Sequence, residues 1–128
     1  MLSLAAGSSN QNVLPFNGLE IPDGVAVHPS GSVYVAGHGS HPVVALPAGS
    51  TTQIVLPFSG LNHPSGVAVD NDGTVYVADN GNNRILALGA GSTSQVVLPF
   101  TGLRNQFGLT VTTSGTVYVA DFCVCSPS

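Results

Sequence analysis

Three histidines come nearest to reactive chemistry in this sequence. His38, His41 and His63 recur in neighbouring segments, and imidazole nitrogens suit zinc, copper or nickel. A structural zinc site closes with four ligands, however, and no fourth is identifiable beside them. Asp70-Asn71-Asp72-Gly73 opens like a calcium loop. It lacks the later carboxylates and the closing glutamate, so a hairpin turn is the better reading. Cys123 and Cys125 stand two apart. A disulfide between them would be small and strained, and a metal site would need two more soft ligands, so free thiols are expected. Serine, histidine and aspartate are all present, but nothing marks a nucleophile elbow. The expectation is a chain with no catalytic residue, no metal site and no cofactor.

The elements that must position these groups follow from an internal repeat. VLPF occurs at residues 13–16, 55–58 and 97–100, and VYVA at 33–36, 75–78 and 117–120. AGS occurs at 6–8, 48–50 and 90–92, so every step is 42 residues, without insertion or deletion. Gly24, Gly66 and Gly108 align, as do Gly31, Gly73 and Gly115. Each period holds four short apolar runs, best formed as Val67–Val69, Val75–Ala78, Ile85–Leu88 and Val96–Leu98. Their Val, Ile and Tyr content favours strands, and Gly, Asn, Asp and Ser turns separate them. Four strands in each period of this length predict a β-propeller blade. The nearly continuous apolar runs fit sheets covered on both faces. The recurrent words themselves are expected to be blade packing. Tyr34, Tyr76 and Tyr118 should bury their rings with the hydroxyls hydrogen-bonded.

The expected fold is therefore all-β, a propeller of four-stranded antiparallel blades. Let the strands of a blade be A to D in chain order, with A starting at Gly24, Gly66 or Gly108. Residues 1–16 then hold the C and D strands of an incomplete blade, Leu2–Leu4 and Gln11–Leu14. Complete blades follow at 24–58 and 66–100, and 108–128 supplies strands A and B of another, Leu109–Val111 and Val117–Ala120. That is about three blades, half of a six-bladed ring, and the incomplete ends are complementary. Open sheet edges invite association. Head-to-tail pairing of two chains into a closed ring is expected, the rivals being a piece of a longer propeller or a truncated product.

Composition narrows the partners. Of 128 residues 6% are charged, two of them basic, for a net charge of −4. Such a surface cannot neutralise a phosphate backbone, which argues against nucleic acid. A hydrophobic content of 43% argues against a disordered chain, and 16 Gly with 9 Pro argue against a helical one. No run of eighteen apolar residues predicts a membrane span, and MLSLAAGSSN lacks the basic and apolar regions of an export signal.

VLPF-x-GL, P-x-GVAVD, GTVYVAD and GNNRIL resemble the NHL-repeat family, over nearly the whole chain. They are similar in particular to the six-bladed sensor domains of actinobacterial receptor-type serine/threonine protein kinases. That resemblance implies an extracytoplasmic propeller that senses a ligand. It implies no kinase activity here: the glycine-rich nucleotide loop, its lysine and the HRD and DFG signatures are all missing, and the chain contains no lysine. The family's Asn-His-Leu position falls on Asn82-Asn83-Arg84, with Ser40-His41-Pro42 and Val124-Cys125-Ser126 in the flanking repeats. The family pattern also implies an ion pair between Asp79 and Arg84. Gly37 and Pro42 replace that pair in one repeat, and Asp121 and Ser126 half-replace it in the other.

Strand direction sorts the loops onto two faces. The A-to-B and C-to-D turns share a monotonous face. The D-to-A and B-to-C loops share a face that diversifies, which is how loops on a rigid frame come to carry binding. The candidate ligand-binding residues on it are Glu20, Asp23, His38, His41, Asn62, His63, Asn80, Arg104, Asn105, Phe107 and Phe122. The expected function is non-catalytic binding of a peptide, protein or glycan. Relatives with six blades also include lyases and hydrolases. That alternative would need His38, His41 or His63 to converge with Glu20 or Asp23.

Overall fold

Short runs of Val, Ile, Leu and Tyr form strands, and glycine-containing turns reverse them. The structure, a computed structural model, describes residues 2–4, 7, 9–13, 16, 21–38, 43–100, 102–103 and 108–120. Strands β1 (Leu2–Leu4) and β2 (Gln11–Val13) pair with each other. Strands β3 (Ile21–Val27), β4 (Val33–His38), β5 (Val43–Leu46) and β6 (Ile54–Val55) form one four-stranded sheet in chain order. Strands β7 (Pro64–Val69), β8 (Val75–Asp79), β9 (Arg84–Leu88) and β10 (Val96–Val97) form the next. Strands β11 (Gly108–Val111) and β12 (Val117–Ala120) make a final pair. All these pairings are antiparallel. The helical content of the described residues is one 3-10 turn, Asn80–Asn82.

The 42-residue period survives as register. Val25 faces Val35, Val67 faces Val77 and Leu109 faces Val119. The three outer pairs keep step as well, with Leu2 opposite Val13, Val44 opposite Val55 and Leu86 opposite Val97. The inner strands begin earlier than their glycines, at Ile21 and Pro64, through a bulge just before Gly24 and Gly66. Proline is accepted at a strand's first residue, where its missing N–H is least needed in the ladder. At the A-to-B turns Gly31, Gly73 and Gly115 take φ of 98°, 88° and 94°, a region open to glycine at little cost.

The middle strands make the core. Val35, Ala36, Val43, Val44, Val77, Ala78, Ile85 and Leu86 are almost wholly buried. Sheets covered on both faces explain why these runs do not alternate. The outermost strands differ from expectation. Ile54, Val55, Val96 and Val97 are about half exposed, because one edge and one face of an outermost strand meet solvent. Within the VLPF words the inward packing comes from Leu56, Phe58 and Leu98.

Adjacent sheets pack through their inner strands, β7 lying against β3 and β4 on one side and β11 on the other. At the first contact two backbones nearly touch: a Cβ on Gly24 would lie 3.0 Å from the Gly66 Cα. Coverage decides burial more than residue type does. Val67 is 6% exposed and its equivalent Val25 is 55%. Tyr76 is 8% exposed and its equivalent Tyr118 is 60%, so the expectation of three buried tyrosines holds for one. The face of β12 carrying Tyr118 has no sheet over it among the described residues.

Candidate functional site

The best-built loop pair joins the entry to β7 with the hairpin from β8 to β9. Asp79 ends β8 and pairs with Arg84 at the start of β9. Between them the chain turns through the 3-10 segment and closes on Asn83, in the left-handed region at φ 51°, whose N–H donates to the Asn80 carbonyl at 3.1 Å. The Asp79 side chain is fully buried. A buried carboxylate is tolerable only if donors replace its water. Three do: the Asn62 N–H to Oδ1 at 2.7 Å, and Asn82 Nδ2 and Arg84 Nε to Oδ2 at 2.8 and 2.6 Å. The ion pair implied by the family pattern is therefore present.

The donors continue outward. Asn82 Nδ2 and an Arg84 terminal nitrogen both donate to the Gly60 carbonyl, at 2.9 and 3.1 Å. The Gly81 N–H donates to the Asn62 carbonyl at 2.7 Å, and a Cβ on Gly81 would come within 2.5 Å of Asn62 Cγ. One buried charge thus ties the D-to-A loop to the B-to-C hairpin, leaving little freedom in either.

Of the candidate binding residues, the structure brings Asn62, His63 and Asn80 together around this network. His63, at φ 53°, hydrogen-bonds through Nδ1 to the Asn62 side chain. Asp23 is exposed on β3. His38 ends β4, its backbone opposite Ile21. Glu20, His41, Arg104, Asn105, Phe107 and Phe122 lie outside the described residues, as do Cys123 and Cys125. Among the described residues no three His, Cys, Asp or Glu side chains converge as a metal site would require.

Asp70 has a separate structural task. Its Oδ1 accepts from the Asp72 and Thr74 N–H groups at 2.9 and 3.0 Å, and its Oδ2 accepts from the Tyr76 hydroxyl at 2.9 Å. These bonds shape a hairpin turn, as the missing calcium ligands suggested. Burial first, and then the Asp70 carboxylate, push the Tyr76 phenol up to about 12. In the preceding repeat His28 replaces Asp70 and keeps the same turn bond, its Nδ1 accepting from the Ser30 N–H at 3.1 Å. Its Nδ1 is 2.8 Å from Ser30 Oγ, and its Nε2 is 3.0 Å from the Asn71 carbonyl of the next sheet.

A cavity of about 530 Å³ opens there, between sheets β3–β6 and β7–β10, lined by His28, Tyr34, Leu56, Asn71, Asp72 and Leu88 among others. It lies on the face of A-to-B and C-to-D turns that looked monotonous in the sequence. Its lining is mostly recurrent turn and strand residues. The one available signal was the exchange of aspartate for histidine at position 28.

Comparison with known proteins agrees with this geometry. The NHL repeat pattern matches residues 61–88, the segment holding the Asp79 network. No curated protein sequence matches the chain. Among solved structures, a chain of a nidogen/laminin complex superposes with a TM-score of 0.67 at 24% identity, over 79% of this chain and 40% of that one. Virginiamycin B lyase from Staphylococcus aureus gives 0.59 at 19% identity, over 78% and 34%. Hydrazine synthase from Kuenenia stuttgartiensis gives 0.59 at 17% identity, over 93% and 33%. This chain therefore spans less than half the length of each. Among the described residues no helix is long and apolar enough to cross a membrane. Residues 61–88 are an NHL repeat, carried in an all-β chain with the fold of a β-propeller segment.

Proposed function

We propose that this chain is a non-catalytic propeller module that binds a protein segment on its D-to-A and B-to-C loop face. The observation that carries the reading is the Asp79 network, which holds the Asn62 backbone, with His63 bonded to the Asn62 side chain and the Asn80 carbonyl closing the hairpin. Loops already ordered lose less entropy on binding, and a preformed surface docks with little backbone change. The nidogen/laminin neighbour, solved as a protein complex, supports the class of partner. The resemblance to receptor-kinase sensor domains supports a sensing role outside the cytoplasm.

The test is selection of binders from a random peptide library on the purified chain, followed by mapping. His63→Ala and Asn80→Ala should each weaken selected peptides about tenfold, near 1.4 kcal/mol, while Asp72→Ala and Ser92→Ala on the opposite face leave binding unchanged. Peptides that respond only to the opposite-face substitutions would overturn the choice of face. A lyase is the second reading, favoured by the virginiamycin B lyase neighbour. Stoichiometric metal in the purified protein would favour it over the binding module.

A further inference from the structure

We propose that the cavity between sheets β3–β6 and β7–β10 binds a small organic cation, an apolar or aromatic body carrying one ammonium group that pairs with Asp72. The site lies on the face of A-to-B and C-to-D turns, opposite the loops assigned to a protein partner, and does not rest on that reading.

The walls favour an apolar body. The cavity holds about 530 Å³, within the range of about 300–1,000 Å³ usual for small-molecule pockets. Both walls are complete four-stranded sheets. They meet through their inner strands, β7 against β3 and β4. Tyr34, Ile54 and Leu56 line the cavity from one sheet, and Val75 and Leu88 from the other. Ile54 is 50% exposed, so a ligand that covers it removes apolar area from water.

The charge of the cavity follows from its hydrogen bonds. The Ser30 N–H can only donate, so His28 Nδ1 accepts from it, at 3.1 Å. The Asn71 carbonyl can only accept, so His28 Nε2 carries the proton, at 3.0 Å. His28 is therefore a neutral imidazole with both nitrogens occupied, and it adds no positive charge. Asp72 is anchored by its N–H to Asp70 Oδ1 at 2.9 Å. No described residue donates to the Asp72 carboxylate. Among the described residues the lining contains no arginine or lysine, and Arg84 is engaged by Asp79. The one charge on the lining is thus negative, in a chain whose net charge is −4. That field favours a cation and repels carboxylates and phosphates.

Tyr34 adds a second handle. Its equivalent Tyr76 gives its hydroxyl to Asp70 at 2.9 Å. With His28 in the place of Asp70, the Tyr34 hydroxyl has no acceptor among the described residues. It is available to a ligand, and its ring gives the cavity an aromatic wall of the kind that attracts ammonium groups.

Titration of the purified full chain with phenethylammonium, phenethyl alcohol and phenylacetate tests this, read by backbone amide chemical shifts. The three probes share a benzyl body and differ in charge. The ammonium should bind about fivefold more tightly than the alcohol, the upper end of what an exposed ion pair contributes, and phenylacetate should bind least. Shifts should gather on residues 28–34, 54–57, 71–75 and 88–92. Asp72→Asn changes an exposed residue without changing its shape. It should lower the ammonium to the affinity of the alcohol and leave the alcohol unchanged. Ile54→Thr, at a half-exposed position, should weaken both alike. Absence of ammonium binding, shifts confined to other segments, equal affinity for ammonium and alcohol, or an Asp72→Asn variant that keeps the preference would overturn the proposal. Selected peptides that depend on His63 and Asn80 should bind equally well with phenethylammonium present, which separates failure of this site from failure of the protein-binding reading.

Discussion

Sheets β3–β6 and β7–β10 share one register, yet they secure their loops by different chemistry. The second holds two buried carboxylates, Asp70 and Asp79, each surrounded by donors. The first has His28 and Gly37 at those positions and Pro42 in place of Arg84. Asp70 gives its second oxygen to Tyr76 of its own sheet, whereas His28, bonded through Nδ1 within its turn, sends Nε2 to the neighbouring turn, and a cavity opens beside it. The apolar frame thus tolerates both solutions, because backbone pairing and the Val, Ile and Leu core are the same in each. At the A-to-B turn, polar identity at one repeat position decides whether the second bond goes to a tyrosine of the same sheet or to the turn of the next.

The largest effect that would break this comparison is at Asp79. Asp79→Ala leaves the Asn62 N–H without its acceptor, leaves Asn82 Nδ2 only the Gly60 carbonyl, and frees Arg84, which is 28% exposed and can turn to water. A hydrogen bond to a charged group is worth about 1.5–3 kcal/mol, and the access of Arg84 to water keeps the loss near that range, below the penalty of a stranded buried charge. Urea denaturation should show a loss of that order. A change under about 1 kcal/mol, the size of an ordinary net hydrogen bond, would mean that the network does not hold the loops. Gly37→Asp in the other sheet should give no matching gain, because Pro42 supplies no guanidinium to receive the new charge.

Tyr76 and Tyr34 sharpen the same contrast at smaller scale. Tyr76→Phe removes a hydrogen bond to a carboxylate, worth about 1.5–3 kcal/mol, whereas Tyr34→Phe at the cavity wall should change stability by less than about 0.5 kcal/mol. The pH dependence has a definite sign. The folded phenol of Tyr76 titrates near 12, above the ordinary tyrosine value of about 10. Its contribution to stability is therefore complete below about pH 10 and is lost as pH rises through 12. Phenolate absorbance should show a step near pH 12, and Tyr76→Phe should delete it. Survival of the late step in the variant would assign it to another tyrosine.

How much of this was legible follows from what each feature depends on. Strand order and the position of the described turns were readable, because VYVA, VLPF and the aligned glycines state local needs that recur every 42 residues. The Asp79–Arg84 pair was legible only through resemblance, since hairpin register is what sets them opposite one another. The exposure of Tyr118 was not legible. Its local sequence is the same VYVA as that of Tyr76, and only the presence of a neighbouring sheet separates 60% from 8% exposure. The cavity escaped for a similar reason. It arises between two sheets from residues 28–34, 54–57, 71–75 and 88–92, none of which is unusual within its own repeat apart from His28.

Gly24 and Gly108 give the smallest test and isolate the same dependence on neighbours. They occupy one repeat position. A Cβ at Gly24 would meet the Gly66 Cα at 3.0 Å and the Ser65 carbonyl oxygen at 3.1 Å, whereas a Cβ at Gly108 would meet nothing within 4 Å. Neither residue has a positive φ, so backbone strain does not enter. Gly24→Ala must push two inner strands apart and should cost about 1 kcal/mol, the low end of overpacking by an inserted methyl group. Gly108→Ala on the isolated chain should cost less than about 0.5 kcal/mol. Equal costs at the two positions would show that the glycines are required by their own turns, and that close approach between sheets is not what selects them.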